Sequence, residues 1–137
     1  MGKVVVKMKL INLRDFFARD EGRLNQKPRE LEAEALVDTG ATRLYLKSSL
    51  IQQLGLHQTG TVLSHTTNGK RVCGVYDPVH LELMGRSGNF DVVEVDDSVP
   101  NLLGQIPLEY LDFVVNSKSK KLQPNPEYGG QWMSEEF

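Results

Sequence analysis

The spacing of its turn signals restricts the fold of this chain more than any other feature. Apolar or alternating runs are interrupted every eight to twelve residues by Gly, Asn, Asp or Pro. Val4 to Leu13 sets Val4, Val6, Met8 and Leu10 against Val5, Lys7 and Lys9, a strand with one wet face. Arg14 to Arg29 is polar, carries Gly22, Asn25 and Pro28, and reads as a long hairpin loop. Leu31 to Val37 resumes strand character, with Glu32 and Glu34 alternating against Ala33 and Ala35. Thr61 to Thr67 and Arg71 to Tyr76 flank Asn68-Gly69, a type I′ hairpin signal. Val79 to Met84 and Asn89 to Val95 flank a second turn, Gly85-Arg86-Ser87-Gly88. Phe113 to Val115 and Lys121-Leu122 predict a closing hairpin around Asn116 to Lys120. Two short helices interrupt the strands. One is Ser49 to Leu54, capped by Ser48 and ended by Gly55; the other is Ile106 to Leu111, with Pro107 in its first turn. The expectation is an all-β domain with a closed or sandwiched sheet. It spans residues 1–126 and is followed by a tail over 127–137.

Charge and length exclude several classes. The 137 residues suit one core, and 16 Lys and Arg against 18 Asp and Glu leave a net charge of −2. So balanced a chain has no bulk attraction for nucleic acid or an anionic membrane, and neither is expected as a partner. Its apolar runs fall far short of the ~20 residues of a membrane span. Met1-Gly2-Lys3-Val4-Val5-Val6-Lys7 meets charge too early for a signal peptide. Cys73 is the single cysteine, so no internal disulfide forms and a cytoplasmic location is expected.

Four groups of residues invite a chemical reading. Cys73 and His65 lie on opposite arms of one expected hairpin with no third group to orient them, and a half-buried thiol explains Cys73 as well. His57, His65 and His80 share no metal-ligand spacing, so no metal is expected. Asp96-Asp97 reads as a solvated turn, and no Gly-rich phosphate loop opens a helix, so no cofactor is expected. The fourth group is Asp38-Thr39-Gly40-Ala41, directly after the apolar end of a strand. Burying a carboxylate there costs several kcal/mol unless donors meet it. Gly40 lets backbone amides approach the acid, and the Thr39 hydroxyl is placed to tie the turn to another strand. An Asx turn ending a strand would also account for the acid. Asp-Thr-Gly arises by chance in roughly one of 60 such chains at flat residue frequencies, so the tripeptide does not decide the matter by itself.

The rest of the chain raises its weight. From about Val4 to Pro126 the sequence resembles the retropepsin-like aspartic proteases, both the retroviral enzymes and the small bacterial relatives. Asp38-Thr39-Gly40-Ala41 resembles that family's catalytic turn. Asn68-Gly69 falls where the family places its substrate flap. Asn101-Leu102-Leu103-Gly104, then Ile106 to Leu111, is similar to the apolar-Gly segment and helix that pack beside the catalytic loop. Leu122-Gln123-Pro124-Asn125-Pro126 resembles the ending of bacterial members.

The resemblance implies a retropepsin-like β-barrel with one or two short helices. It also implies an aspartic endopeptidase that hydrolyses peptide or protein substrates with Asp38. Such chemistry needs two carboxylates sharing one proton around a water, with activity peaking at about pH 4–6. The chain offers one Asp-Thr-Gly and no Asp-Ser-Gly, and Asp97-Ser98-Val99 lacks the glycine. A homodimer is therefore expected, with Asp38, Thr39 and Gly40 of both copies on its axis. The alternative is a catalytically silent dimeric peptide-binding or dimerisation module on the same fold. Gln105 departs from the Arg of the retroviral pattern. Gly69 stands where retroviral flaps carry several glycines, and the tail is longer and holds Tyr128, Trp132 and Phe137.

Overall fold

The computed structural model describes residues 3–23, 25–66, 69–126 and 132. Strands dominate: β1 (Val5–Asn12), β2 (Glu30–Val37), β3 (Leu44–Lys47), β4 (Gln58–Thr66), β5 (Gly69–Leu83), β6 (Arg86–Val95), β7 (Leu102–Leu103), β8 (Phe113–Asn116) and β9 (Lys121–Pro124). Among the described residues three short helices intervene: α1 (Leu13–Asp20), α2 (Ser48–Leu54) and α3 (Gln105–Leu111).

The sheet order is β1-β2-β7-β3-β6-β5-β4, and β1 also pairs with β5. That extra pairing, Lys9↔Glu82 to Asn12↔Val79, closes β1, β2, β7, β3, β6 and β5 into a ring. Closure removes the open edges of those six strands, whereas β4, outside the ring, pairs with β5 alone. Met8, Leu10, Leu44, Leu46, Val79, Leu81, Val92 and Leu103 are buried in one continuous core. Ile51 and Leu54 of α2 and Leu108 and Leu111 of α3 join it. Each such side chain contributes about 1.5–3 kcal/mol by leaving water. The all-β, retropepsin-like fold is thus present, with β8 and β9 as a separate two-stranded sheet.

Four local expectations need correction. The segment 14–29 is not all loop, because α1 occupies its first part. Asn12 caps α1 by accepting from the Asp15 amide at 3.1 Å, while its own amide group donates to the Leu54 carbonyl at 2.7 Å. The Asp15 carboxylate then takes the Arg29 amide at 2.9 Å and its guanidinium at 2.7 and 3.1 Å, pinning the far end of the connection to the helix. The cap was legible as Asn12 with an acid three residues on, but the glycine and proline beyond masked it. Ser48 does not cap α2; its hydroxyl donates to Glu94, and Asp97 from the β6–β7 connection accepts from the Ser49 amide at 2.9 Å instead. Gly55 does end α2, at a left-handed φ of 66°.

The second turn is tighter than Gly85 to Gly88. Leu83 pairs with Arg86, and Met84 and Gly85 take φ of 51° and 81°, the two positive values a type I′ turn requires. Arg71 to Tyr76 and Val79 to Met84 are one bulged strand, β5, whereas two strands were expected. The short β3 went unread because Ala41 to Lys47 shows no long alternation; it is held by β6 and β7 on either side.

Candidate active site

Three strand ends meet at one rim of the ring. β2 runs parallel to β7, with Val37 opposite Leu103, and β7 runs antiparallel to β3, with Leu103 opposite Leu44. The residues after β2 (Asp38 to Gly40), after β7 (Gly104) and before β3 (Ala41 to Arg43) are therefore neighbours. Backbone bonds lock them together. The Asp38 amide donates to Leu103 O at 3.0 Å, Gly104 to Arg43 O at 2.9 Å, Gln105 to Ala41 O at 2.8 Å and Ile106 to Thr42 O at 2.9 Å. So dense a set of bonds satisfies the backbone of a non-regular loop and makes it rigid.

Asn101 sets the level of this loop, a role not read in the sequence beyond its place before Leu102-Leu103-Gly104. It is buried, donates to Glu34 O at 2.9 Å and accepts from the Lys47 amide at 2.8 Å, joining β2 to β3 beside β7. A buried amide side chain whose donor and acceptor are both used fixes a register that apolar packing alone would leave free to slide.

Within the turn, the Gly40 amide donates to Asp38 Oδ1 at 2.9 Å and the Ala41 amide to the Asp38 carbonyl at 3.1 Å. Asp38, Thr39 and Gly40 are exposed in the single chain, with Ala41 half-buried behind them. The Thr39 hydroxyl makes no hydrogen bond among the described residues. The turn is thus rigid in its backbone and open at its face. The Gln105 side chain stays within α3, donating to Glu109 at 2.8 Å.

The other candidates are dispersed. Cys73 opposes Val62 and His65 opposes Lys70, so the thiol and the imidazole stand three positions apart along the hairpin, roughly 10 Å. His80 stacks on Phe16 with centroids 4.2 Å apart and sets Nδ1 2.8 Å from Asn89 Oδ1, a packing role. Among the described residues no three His, Cys, Asp or Glu side chains gather as a metal site. Asp96 turns onto Ser98, whose hydroxyl, then its amide, holds the carboxyl below its ordinary range. Asn68 lies outside the described residues. Gly69 begins β5 opposite Thr66 at a φ of 110°.

The β4–β5 hairpin leaves the ring, since β4 pairs with β5 alone in the sheet. At its base the Tyr76 hydroxyl donates to Glu94 at 3.1 Å; burial, then the Glu94 contact, raises that phenol above its usual range. No helix among the described residues is long and apolar enough to cross a membrane.

Two comparisons bear on this geometry. No curated protein matches the chain. The family described as Aspartyl protease matches residues 21–105, a span that runs from before β2 through the Asp38 turn and the hairpin to the first residue of α3. That span covers more than half of the chain and includes every strand end that meets at the rim, and the ring surrounding it has the retropepsin-like form: this chain belongs to the aspartyl protease family.

Proposed function

We propose that the chain is an aspartic endopeptidase that works as a symmetric homodimer, with Asp38 facing Asp38 of the partner subunit across the axis. The observation that carries this reading is the Asp38 turn: rigid in its backbone, tied to Leu103 and Arg43, and open at the face that bears the carboxylate. One ionised carboxylate removes a proton from a water as the water oxygen bonds to the peptide carbonyl carbon. The protonated partner gives its proton to the carbonyl oxygen. The tetrahedral species then collapses, the C–N bond breaks, and the amine leaves with a proton returned through the dyad. The Gly40 amide keeps one oxygen of each acid in place. The Thr39 hydroxyl, unused among the described residues, is available to bond across the axis. The β4–β5 hairpin closes over the substrate as a flap hinged on its strand ends, with Asn68 and Gly69 at its tip.

The test is turnover of an unstructured protein by wild type and Asp38→Asn. The variant should fold normally, since Asn retains an oxygen for the Gly40 amide, and should lose all cleavage. Equal turnover would place the chemistry elsewhere. Excess Asp38→Asn mixed with wild type should suppress activity through one-acid heterodimers, and specific activity should rise with protein concentration. An active monomer in sedimentation would overturn the dimer. Peptide binding without cleavage by the wild type would favour the silent binding module.

A further inference from the structure

Both arms of the β4–β5 hairpin are bulged near the level where they leave the ring, β5 keeping two pairs with β6, Tyr76 with Val92 and Val75 with Val93, beyond its bulge. On β4, Gln58 opposes Tyr76 and Gly60 opposes Val75, so Thr59 is an extra residue. On β5, Tyr76 opposes Val92 and Val79 opposes Phe90, so Asp77 and Pro78 together face Asp91. A bulge interrupts the ladder and lets a strand bend, and Pro78 has no amide to contribute there. Two bulges side by side make a hinge.

Asp77 lies in that hinge with its side chain 8% exposed. Its carboxylate accepts from the His57 amide at 3.1 Å, and its own amide donates to the His57 carbonyl at 2.9 Å, so it clasps the residue just before β4. Among the described residues the other donor to the carboxylate is Arg14 Nη2 at 3.1 Å. Arg14 belongs to the first turn of α1, the helix that the Asn12 cap and the Asp15–Arg29 pair hold against the ring. A shielded carboxylate with one amide and one guanidinium is adequately met; with the amide alone it is short of donors and draws in water.

We propose that Arg14 is a positioning residue, and that α1 sets through the Arg14–Asp77 contact how readily the hairpin bends about its paired bulges. Loss of the contact leaves the Asp77 clasp on His57 weaker and the open hairpin more populated. Any consequence for turnover rests on the flap reading above; the effect on the hairpin does not.

Hydrogen exchange on the full chain tests this with Arg14→Gln and Arg14→Lys. Arg14 is largely exposed, so both variants should fold. In Arg14→Gln, amides of residues 58–65 and 70–76 should exchange roughly three- to tenfold faster, with β1 and the ring part of β6 unchanged. Arg14→Lys should restore much of the protection. Wild type in about 1 M salt, where screening acts within about 3 Å, should approach Arg14→Gln, whose own exchange should not respond to salt. Unchanged hairpin exchange, or a rise shared equally by β1 and β6, would overturn the proposal. A faster hairpin with unchanged kcat and KM would support the brace and remove the flap from the proposed mechanism.

Discussion

Gly104 lies so close to Arg43 that its amide donates to the Arg43 carbonyl at 2.9 Å, and a methyl group on it would stand 2.8 Å from the Arg43 nitrogen. The same methyl would meet the Ala41 carbonyl at 2.7 Å. These are backbone atoms, fixed by β3 and by the loop itself, and they cannot rotate away. The loop after β7 and the loop before β3 are therefore in contact only because residue 104 has no side chain.

Gly104→Ala should accordingly destabilise the fold by about 2 kcal/mol or more, since the overlap is relieved only by moving one loop. It should also abolish cleavage by displacing Asp38, which hangs on Leu103. Urea denaturation measures the first effect and turnover the second. A variant of normal stability would mean that the two loops are free to part.

The Asp15–Arg29 pair should make stability depend on pH in one direction. The Arg29 guanidinium hydrogen bond, opposed by burial and aided by the Arg29 amide, holds Asp15 below the ordinary carboxylate range. The unfolded chain, with an Asp value of about 3.9, binds that proton more readily than the folded one. The contribution is then complete above about pH 5 and fades as pH falls through the lower folded value. Wild type should exceed Asp15→Asn by about 1–2 kcal/mol near neutrality, a gap that narrows in acid. Denaturation curves at several pH values measure it, and a gap that widens in acid would contradict the assignment.

Arg86 should matter to stability more than a surface arginine does. It is buried, donates to Leu111 O at 2.7 Å and Asp112 O at 2.9 Å, and lies 4.9 Å from the centroid of the Phe113 ring. Those carbonyls end α3, where the helix offers them no partner of its own; Asp112 O also accepts the Asn125 amide at 2.9 Å. Arg86→Met keeps the stem and removes the donors, so it should cost about 2 kcal/mol and lower the melting midpoint by roughly 5–10 °C. Calorimetry reads the shift.

Trp132 adds to the same end of α3, its indole N–H donating to Tyr110 O at 3.2 Å with Tyr110 and Arg86 against its ring. Trp132→Ala removes the single tryptophan and its indole emission, so fluorescence cannot follow the change. The useful readout is exchange at α3 amides, expected to quicken about fivefold for a loss of about 1 kcal/mol. Unchanged exchange would detach the indole from α3.

Gly69 has open space where a Cβ would stand, yet its φ of 110° is one that side-chain-bearing residues avoid. Gly69→Val should therefore strain only the hairpin, by about 1–3 kcal/mol, with the ring unaffected. Cleavage should fall while the thermal midpoint of the ring holds. Normal cleavage in a folded Gly69→Val variant would separate the hairpin from substrate access.

Alternation and turn chemistry are local, and what depends on them was legible in the sequence. β1, β2, the β4–β5 hairpin, the β8–β9 hairpin and the Gly55 stop of α2 all follow from residues within one or two turns of each other. The Asp38 turn was equally visible, as a motif whose meaning came from its order relative to Leu102-Leu103-Gly104. Contacts across long separations were not visible. The capping of Ser49 by Asp97, the Asp15–Arg29 pin that makes α1 worth forming, and the Asn101 bridge between β2 and β3 join residues 14 to 67 positions apart. A hydrogen bond leaves no periodic trace in the sequence, so only the closed ring, which brings those residues within 3 Å of one another, decides which polar side chains brace the loop and which face water.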